Sequence, residues 1–176
     1  SVLFVIEMKL MVKAIRKGEQ PNLDQPLGGG PEINLRLPAL IPEDYLPDVH
    51  ARLILYKRIA SATDEDGLKD LQVEMIDRFG LLPEPTKNLI RLTLLKLQAE
   101  QLGIKKVDGG PQGGRIEFAT DTPVDPLALI KLIQGQPKRY KFEGATLFKF
   151  MVPMERPEER FNTLEALFER LTPKSA

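Results

Sequence analysis

The sequence predicts an α+β fold: a lead strand, three helices, then a small, mostly antiparallel sheet with flanking helices. Three observations predict it. Apolar stripes at helical spacing crowd the stretch between residues 47 and 103. Short alternating runs bounded by glycine and proline follow from residue 104 onward. No regular strand–helix–strand alternation links the two halves, and no internal repeat is visible. A chain of 176 residues, 42% hydrophobic and 28% charged, is large enough for one globular domain with a proper core.

The opening "SVLFVIEMKLMV" is apolar, but Glu7 and Lys9 interrupt it well short of the ~20 residues a membrane span requires. No basic n-region precedes it and no small-residue cleavage site follows, so it is not read as a signal peptide. It reads as a helix over 1–17 that stops at Gly18. Residues 18–32 are turn formers and polar residues without periodicity, three consecutive glycines among them, and read as a flexible linker. The compact domain is expected over 33–176.

Its first element is a half-buried strand, with Ile33, Leu35 and Leu37 alternating with Asn34 and Arg36 before Pro38 ends it. In "LPDVHARLILYKRIASA", Val49, Leu53, Tyr56 and Ala60 share a helical face, and Pro47 suits a first turn. "TDEDGLKDLQVEMIDRFG" starts with Thr63 as N-cap and Asp66 three residues on, and stops at Gly80. "PEPTKNLIRLTLLKLQAEQLG" is leucine-dense on more than one face and reads as the central buried helix, ending at Gly103. "IKKVD" and "GRIEFA" flank a glycine-rich turn and predict a β-hairpin. "DPLALIKLIQGQP" is a short helix, and "RYKFEGATLFKFMV" supplies one or two strands. The last helix carries the stripe Phe161, Leu164, Phe168 and Leu171.

Chemistry is hard to find. Neither "GGGP" nor "GGPQGG" is followed by Lys-Ser/Thr or separates a strand from a helix, so no phosphate loop is set up. "DEDG" lacks the alternate-position oxygens of a calcium loop. His50 is the sole histidine and has no metal-ligand spacing to a partner, and Ser1, Ser61 and Ser175 lack a nucleophile-elbow context. The absence of cysteine excludes disulfides, thiolate metal sites and a cysteine nucleophile, and makes a reducing, cytoplasmic setting the expectation. No catalytic residue, metal ligand or cofactor site is assigned.

Lys+Arg and Asp+Glu both total 25, so no global field exists to hold nucleic acid, and electrostatic recognition must be local. Short basic groups occur at Arg52, Lys57 and Arg58, at Lys105 and Lys106, and at Lys138, Arg139 and Lys141. A sharper feature lies in the helix ending at Gly80. Leu68, Leu71, Met75 and Phe79 form its core face, while Asp70, Glu74 and Asp77 share the opposite one at i, i+4 and i+7. Like charges at i, i+4 cost roughly 0.2–0.5 kcal/mol per pair, and Asp77 occupies the last turn, where the helix dipole favours cations. This wheel shows no lysine or arginine between the three carboxylates.

"INLRLPALIPEDYLPDV", "RLILYKRIASA", "VEMIDRFGLLPEP" and "GGRIEFA", in this order and spacing, closely resemble the C-terminal domain of bacterial transcription-repair coupling factors. The resemblance runs from about Ile33 to Val152, and "IDRFGLLPEP" is its most specific piece. It implies a non-catalytic module downstream of ATP-driven motor domains, from which residues 1–17 would lead. The full factor is expected to find RNA polymerase stalled on damaged DNA, displace it, and recruit the excision-repair protein UvrA through an N-terminal module resembling UvrB. The C-terminal domain, as a monomer, would cover the UvrA-binding surface of that module and keep the factor autoinhibited. The resemblance places Glu74 and Asp77 against that basic surface, and the wheel adds Asp70. The alternative is an accessory nucleic-acid-binding domain using Lys105, Lys106, Lys138, Arg139 and Lys141. Because the inferred core begins at Ile33, a chain starting at Glu32 is expected to keep nearly the thermal midpoint of the whole chain. A large drop on truncation, read by circular dichroism, would mean that the first helix docks on the domain.

Overall fold

The computed structural model describes residues 30–174; the expected helix over 1–17 and nearly all of the linker lie outside them. Five helices and five strands occur among the described residues, an α+β arrangement as the sequence predicts. The order is β1 (Glu32–Asn34), α1 (Val49–Ala60), α2 (Glu65–Phe79), α3 (Glu84–Gln101), β2 (Ile104–Gly110), β3 (Gly113–Phe118), α4 (Pro126–Gly135), β4 (Tyr140–Glu143), β5 (Leu147–Phe150) and α5 (Pro157–Leu171). The described residues divide into two compact units. The first holds 38–97; the second holds 30–37 and everything from 98 onward, so the division falls inside α3.

The first unit is helical. Leu53, Tyr56 and Ile59 of α1, Leu68, Leu71 and Met75 of α2, and Leu89 and Ile90 of α3 form its core. The expected face of α1 is turned slightly: Ile59 is buried and Ala60 exposed. Asp48 caps α1, its side chain accepting from the His50 N–H at 2.9 Å, so Pro47 precedes the cap instead of entering the first turn. The cap of α2 is Asp64, whose carboxylate accepts from the Gly67 N–H at 2.7 Å, one residue beyond the expected Thr63. Gly80 stops α2 with φ of 96°, a backbone state that favours glycine.

Between β1 and α1, the proline-rich stretch from Pro38 to Pro47 has no ladder to join, and several of its backbone groups are met by side chains. Asn88 donates to the Pro38 carbonyl, Thr86 to the Leu40 carbonyl, and Arg52 to the carbonyls of Leu46 and Pro47. The Tyr56 hydroxyl accepts from the Ile41 N–H at 2.7 Å. The buried polar residues of this unit, Arg52, Thr86 and Asn88, thus all serve one irregular segment.

The second unit is a five-stranded sheet in the order β1-β2-β3-β5-β4. The lead strand runs parallel to β2, and the other pairs are antiparallel. The predicted hairpin is β2–β3, closed by Pro111 and Gln112 between paired Gly110 and Gly113. Ile33, Val107, Ile116 and Phe148 sit side by side on one face and are each fully buried. Leu129 and Leu132 of α4 and the predicted stripe of α5 are buried as well. Alternation leaves the other face polar.

The lead strand is shorter than predicted. Asn34 turns the chain by accepting the Arg36 N–H at 3.1 Å, and Arg36 adopts φ of 54°. Buried Arg160 holds that turn in place, donating to the carbonyls of Leu35, Arg36, Met154 and Glu155 at 2.8–3.1 Å. Arg160→Ala is expected to destabilise the fold by about 3 kcal/mol in urea unfolding, since several buried acceptors lose their donor together. Arg160→Lys should restore little, because an ammonium cannot present a planar fork to four carbonyls.

Candidate interaction surface

The acidic residues of α2 lie on its exposed side as the wheel predicts, but they are not alike. Glu74 is held by a fork. Both Nη atoms of Arg58, on α1, donate to its two carboxylate oxygens, the Nη2–Oε1 bond measuring 3.1 Å. Arg78, one turn further along α2, stands 3.7 Å from the same carboxylate. The carboxylate stripe is therefore not uncompensated, and its central member is the one that has found partners. Arg58 lies sixteen residues away on another helix, out of reach of a single-helix wheel. Arg78 was legible as the i+4 partner of Glu74.

The pairing is visible in the titration of both groups. The hydrogen bond from Arg58 holds the Glu74 carboxyl below its usual range, and the same bond raises the Arg58 guanidinium. Asp70 and Asp77 are exposed, and neither has an ion pair among the described residues. The helix end beside Asp77 is built firmly. The Tyr45 hydroxyl donates to the Gly80 carbonyl at 2.8 Å, its ring meets Phe79 edge-on, and the Arg78 guanidinium lies 4.8 Å above the Phe79 ring centre. These contacts fix the direction in which the last turn presents Asp77.

Apolar side chains flank the carboxylates. Val73, Ile76 and Leu81 are all exposed, Leu81 at 85%, and Ile54 is exposed on α1. Around α2 at 100° per residue, Glu74 and Arg78 lie to one side of Asp70 and Asp77, and Val73 and Ile76 lie to the other. The surface can offer two free carboxylates, one internally neutralised carboxylate and an apolar margin. Such a mixture suits a protein partner, since it combines charges for register with apolar area for contact.

No group of three or more candidate ligand side chains that could hold a metal ion occurs among the described residues, and none of their helices is long and apolar enough to cross a membrane. Of the cations noted in the sequence, Lys106 and Lys141 fall on different strands of the sheet, and Lys105 adjoins the irregularity in β2.

Comparison with known proteins agrees with this architecture. The family model for the TRCF domain matches residues 35–129. The chain is 41% identical over 171 residues to the transcription-repair-coupling factor of Escherichia coli strain K12, covering 96% of this chain and 15% of that protein. It is 47% identical over 154 residues to the factor of Haemophilus influenzae, covering 86% of this chain and 13% of the relative. Its fold is similar to the crystal structure of a C-terminal domain of transcription-repair coupling factor, with a TM-score of 0.70 at 23% identity, over 81% of this chain and 92% of that one.

The Glu74 fork makes a definite pH prediction. Its depressed folded value means that the contribution is complete above the ordinary carboxyl value of 4.5 and is lost as pH falls through the folded value. The thermal midpoint of Glu74→Gln should lie below that of the parent at neutral pH, and the two should converge in acid. A gap that persists unchanged in acid would show that the fork is not its source.

Proposed function

Because this chain belongs to the TRCF domain family, the C-terminal domain of transcription-repair coupling factors, we propose that it is a non-catalytic regulatory module. Its role is to cover the UvrA-binding surface of the UvrB-like N-terminal module of its parent and keep the factor closed until RNA polymerase is engaged. The observation that carries this reading is the exposed face of α2, where Asp70 and Asp77 have no cationic partner among the described residues and stand beside Val73, Ile76 and Leu81. Charges left unpaired on an exposed helix face, next to exposed apolar area, favour a cationic protein partner over solvent. The chain spans about 15% of the length of the Escherichia coli relative, so UvrA, polymerase and DNA enter through the parent protein.

The three carboxylates take different parts in this reading. Asp77 and Asp70 meet the arginines of the partner directly. Glu74 already binds Arg58 and Arg78, so its reversal breaks an internal pair and sets a new cation against two guanidiniums. From the wheel alone, reversing Glu74 and Asp77 together would relieve like-charge repulsion and leave the domain no less stable; with the Glu74 pairing, that double reversal should lower the domain's midpoint.

Asp77→Lys gives the cleaner test, because it removes a carboxylate from a helix end that favours cations and disturbs no ion pair. The domain should stay folded, with an undiminished midpoint. In the full-length factor the reversed charge should open the closed state, each ~1.4 kcal/mol of lost contact shifting closed against open about tenfold. UvrA capture without ATP or polymerase should rise, and a reciprocal arginine reversal on the UvrB-like module should restore closure. Unchanged capture by Asp77→Lys and Asp70→Lys would leave this face as solvated surface.

A further inference from the structure

The polar face of the sheet in the second unit carries a charge pattern that only strand register reveals. Asp108, Arg115, Lys149 and Lys141 lie side by side across β2, β3, β5 and β4. Two residues along each strand, on the same face, the neighbouring row is Glu32, Lys106, Glu117, Leu147 and Glu143. One row holds three cations and one anion, and the other holds three anions and one cation. Two bonds tie them together, Lys149 with Glu143 and Lys106 with Asp108. Arg115 and Lys141 remain exposed, and among the described residues neither has a carboxylate within ion-pair distance. Cations directly opposite on adjacent strands repel one another. Glu143 offsets part of that repulsion from the neighbouring row, bonding Lys149 and acting at longer range on Lys141 and Arg115, so the remaining demand for an anion falls on Arg115 and Lys141.

Beside the basic row lies a trough. The next same-face positions on β2 and β3 are Gly110 and Gly113, which contribute no side chain, so the surface drops there, with Arg36 and Met151 among the residues that line it. The cavity has a volume of about 740 Å³, and a second one of about 300 Å³ adjoins it through Lys106, Asp108 and Arg115. Arg36 is set over this floor with care. Its backbone is held at φ of 54° by Asn34 and Arg160, and a Cβ on Gly110 would come within 2.8 Å of its Nη1. Its guanidinium has no carboxylate partner among the described residues, so Arg36 and Arg115 flank one trough as two unpaired forks.

We propose that this trough binds an extended acidic peptide segment, its carboxylates seated on Arg36 and Arg115 with Lys141 beyond. Three observations select that partner. The acidic row lies only ~7 Å from the basic one, inside a Debye length, so a broad polyanion such as a nucleic-acid duplex meets both rows and gains little. A narrow chain in contact with one row separates them. The aromatic side chains of β3, β4 and β5 belong to the other face of the sheet, and Phe150, which borders the trough, is only 1% exposed, so no ring here is free to stack bases as single-strand binders require. The trough, at about 740 Å³, is also far larger than one inorganic oxyanion, whereas guanidinium forks match carboxylates along a chain. This site is separate from the face of α2 and does not depend on the regulatory reading.

The test is fluorescence anisotropy with the whole chain and a labelled octapeptide of alternating glutamate and glycine. The peptide should bind, more weakly as salt rises. Arg36→Asn with Arg115→Gln should weaken it about tenfold or more, asparagine being chosen because it tolerates the left-handed backbone. Lys69→Gln with Lys87→Gln removes the same charge from the first unit and should leave binding unchanged. Circular dichroism checks that both double variants are folded. Absence of peptide binding, or equal loss in both variants, overturns the proposal. So does equal displacement by inorganic phosphate, which would mark an isolated oxyanion site. Tighter capture of duplex DNA than of peptide, abolished by Arg36→Asn with Arg115→Gln, overturns it in favour of nucleic acid.

Discussion

A guanidinium buried among carbonyls organises the second unit. Arg160, on α5, reaches back more than a hundred residues in sequence to the carbonyls of Leu35 and Arg36, while its other nitrogens meet Met154 and Glu155 just before its own helix. None of these partners is charged. An arginine can be buried this way because delocalised charge and five donors let neutral acceptors replace water. The first unit repeats the device on a smaller scale, with Arg52 donating to Leu46 and Pro47. In both, a long side chain fixes a segment that has no hydrogen-bonded ladder of its own. A three-residue lead strand paired only to β2 would otherwise be a weak edge. With its exit clamped, the left-handed turn at Arg36 and the register of β1 are determined together.

Much of this fold is legible in the sequence because its signals are local. The stripe of α5 and the glycine that stops α2 follow from 3.6-residue periodicity and from backbone sterics. Errors at helix starts have a local cause too. Thr63 and Asp64 are both good caps, and what decides is which side chain reaches an orphan N–H, here the Asp64 carboxylate to Gly67. The parallel pairing of β1 with β2, across seventy-four residues, leaves no mark in either strand's own pattern. The interaction surface divides in the same way. The three carboxylates of α2 were visible on a wheel, whereas the Arg58 fork that neutralises the middle one comes from another helix. Arg115 and Lys149 look scattered in sequence, and only register brings them beside Lys141.

A net charge of zero conceals two unlike arrangements. On α2, charge is concentrated by helical repetition and then partly cancelled by a neighbouring helix. On the sheet, opposite charges are sorted into parallel rows by strand register. The two differ in reach. Unpaired carboxylates beside exposed leucine and valine act at contact with a broad protein surface. Rows of opposite sign a few ångströms apart cancel at a distance and discriminate only at touching range. Salt should therefore weaken the two surfaces differently, although they share one chain.

The hairpin glycines separate into two hereditary classes. A side chain at Gly113 would drive its Cβ to 2.1 Å from the Phe150 carbonyl oxygen, and one at Gly114 to 2.2 Å from the Asp108 oxygen. Those atoms are backbone and cannot yield, so mutation there strikes the fold and should be purged in any lineage. At Gly110 the obstacle is the tip of a flexible arginine. An alanine there displaces Arg36 and leaves the strands intact. Drift at position 110 is thus policed only as long as the guanidinium at position 36 has a use. In descendants that lose that use, the two positions should decay together while their neighbours stay fixed.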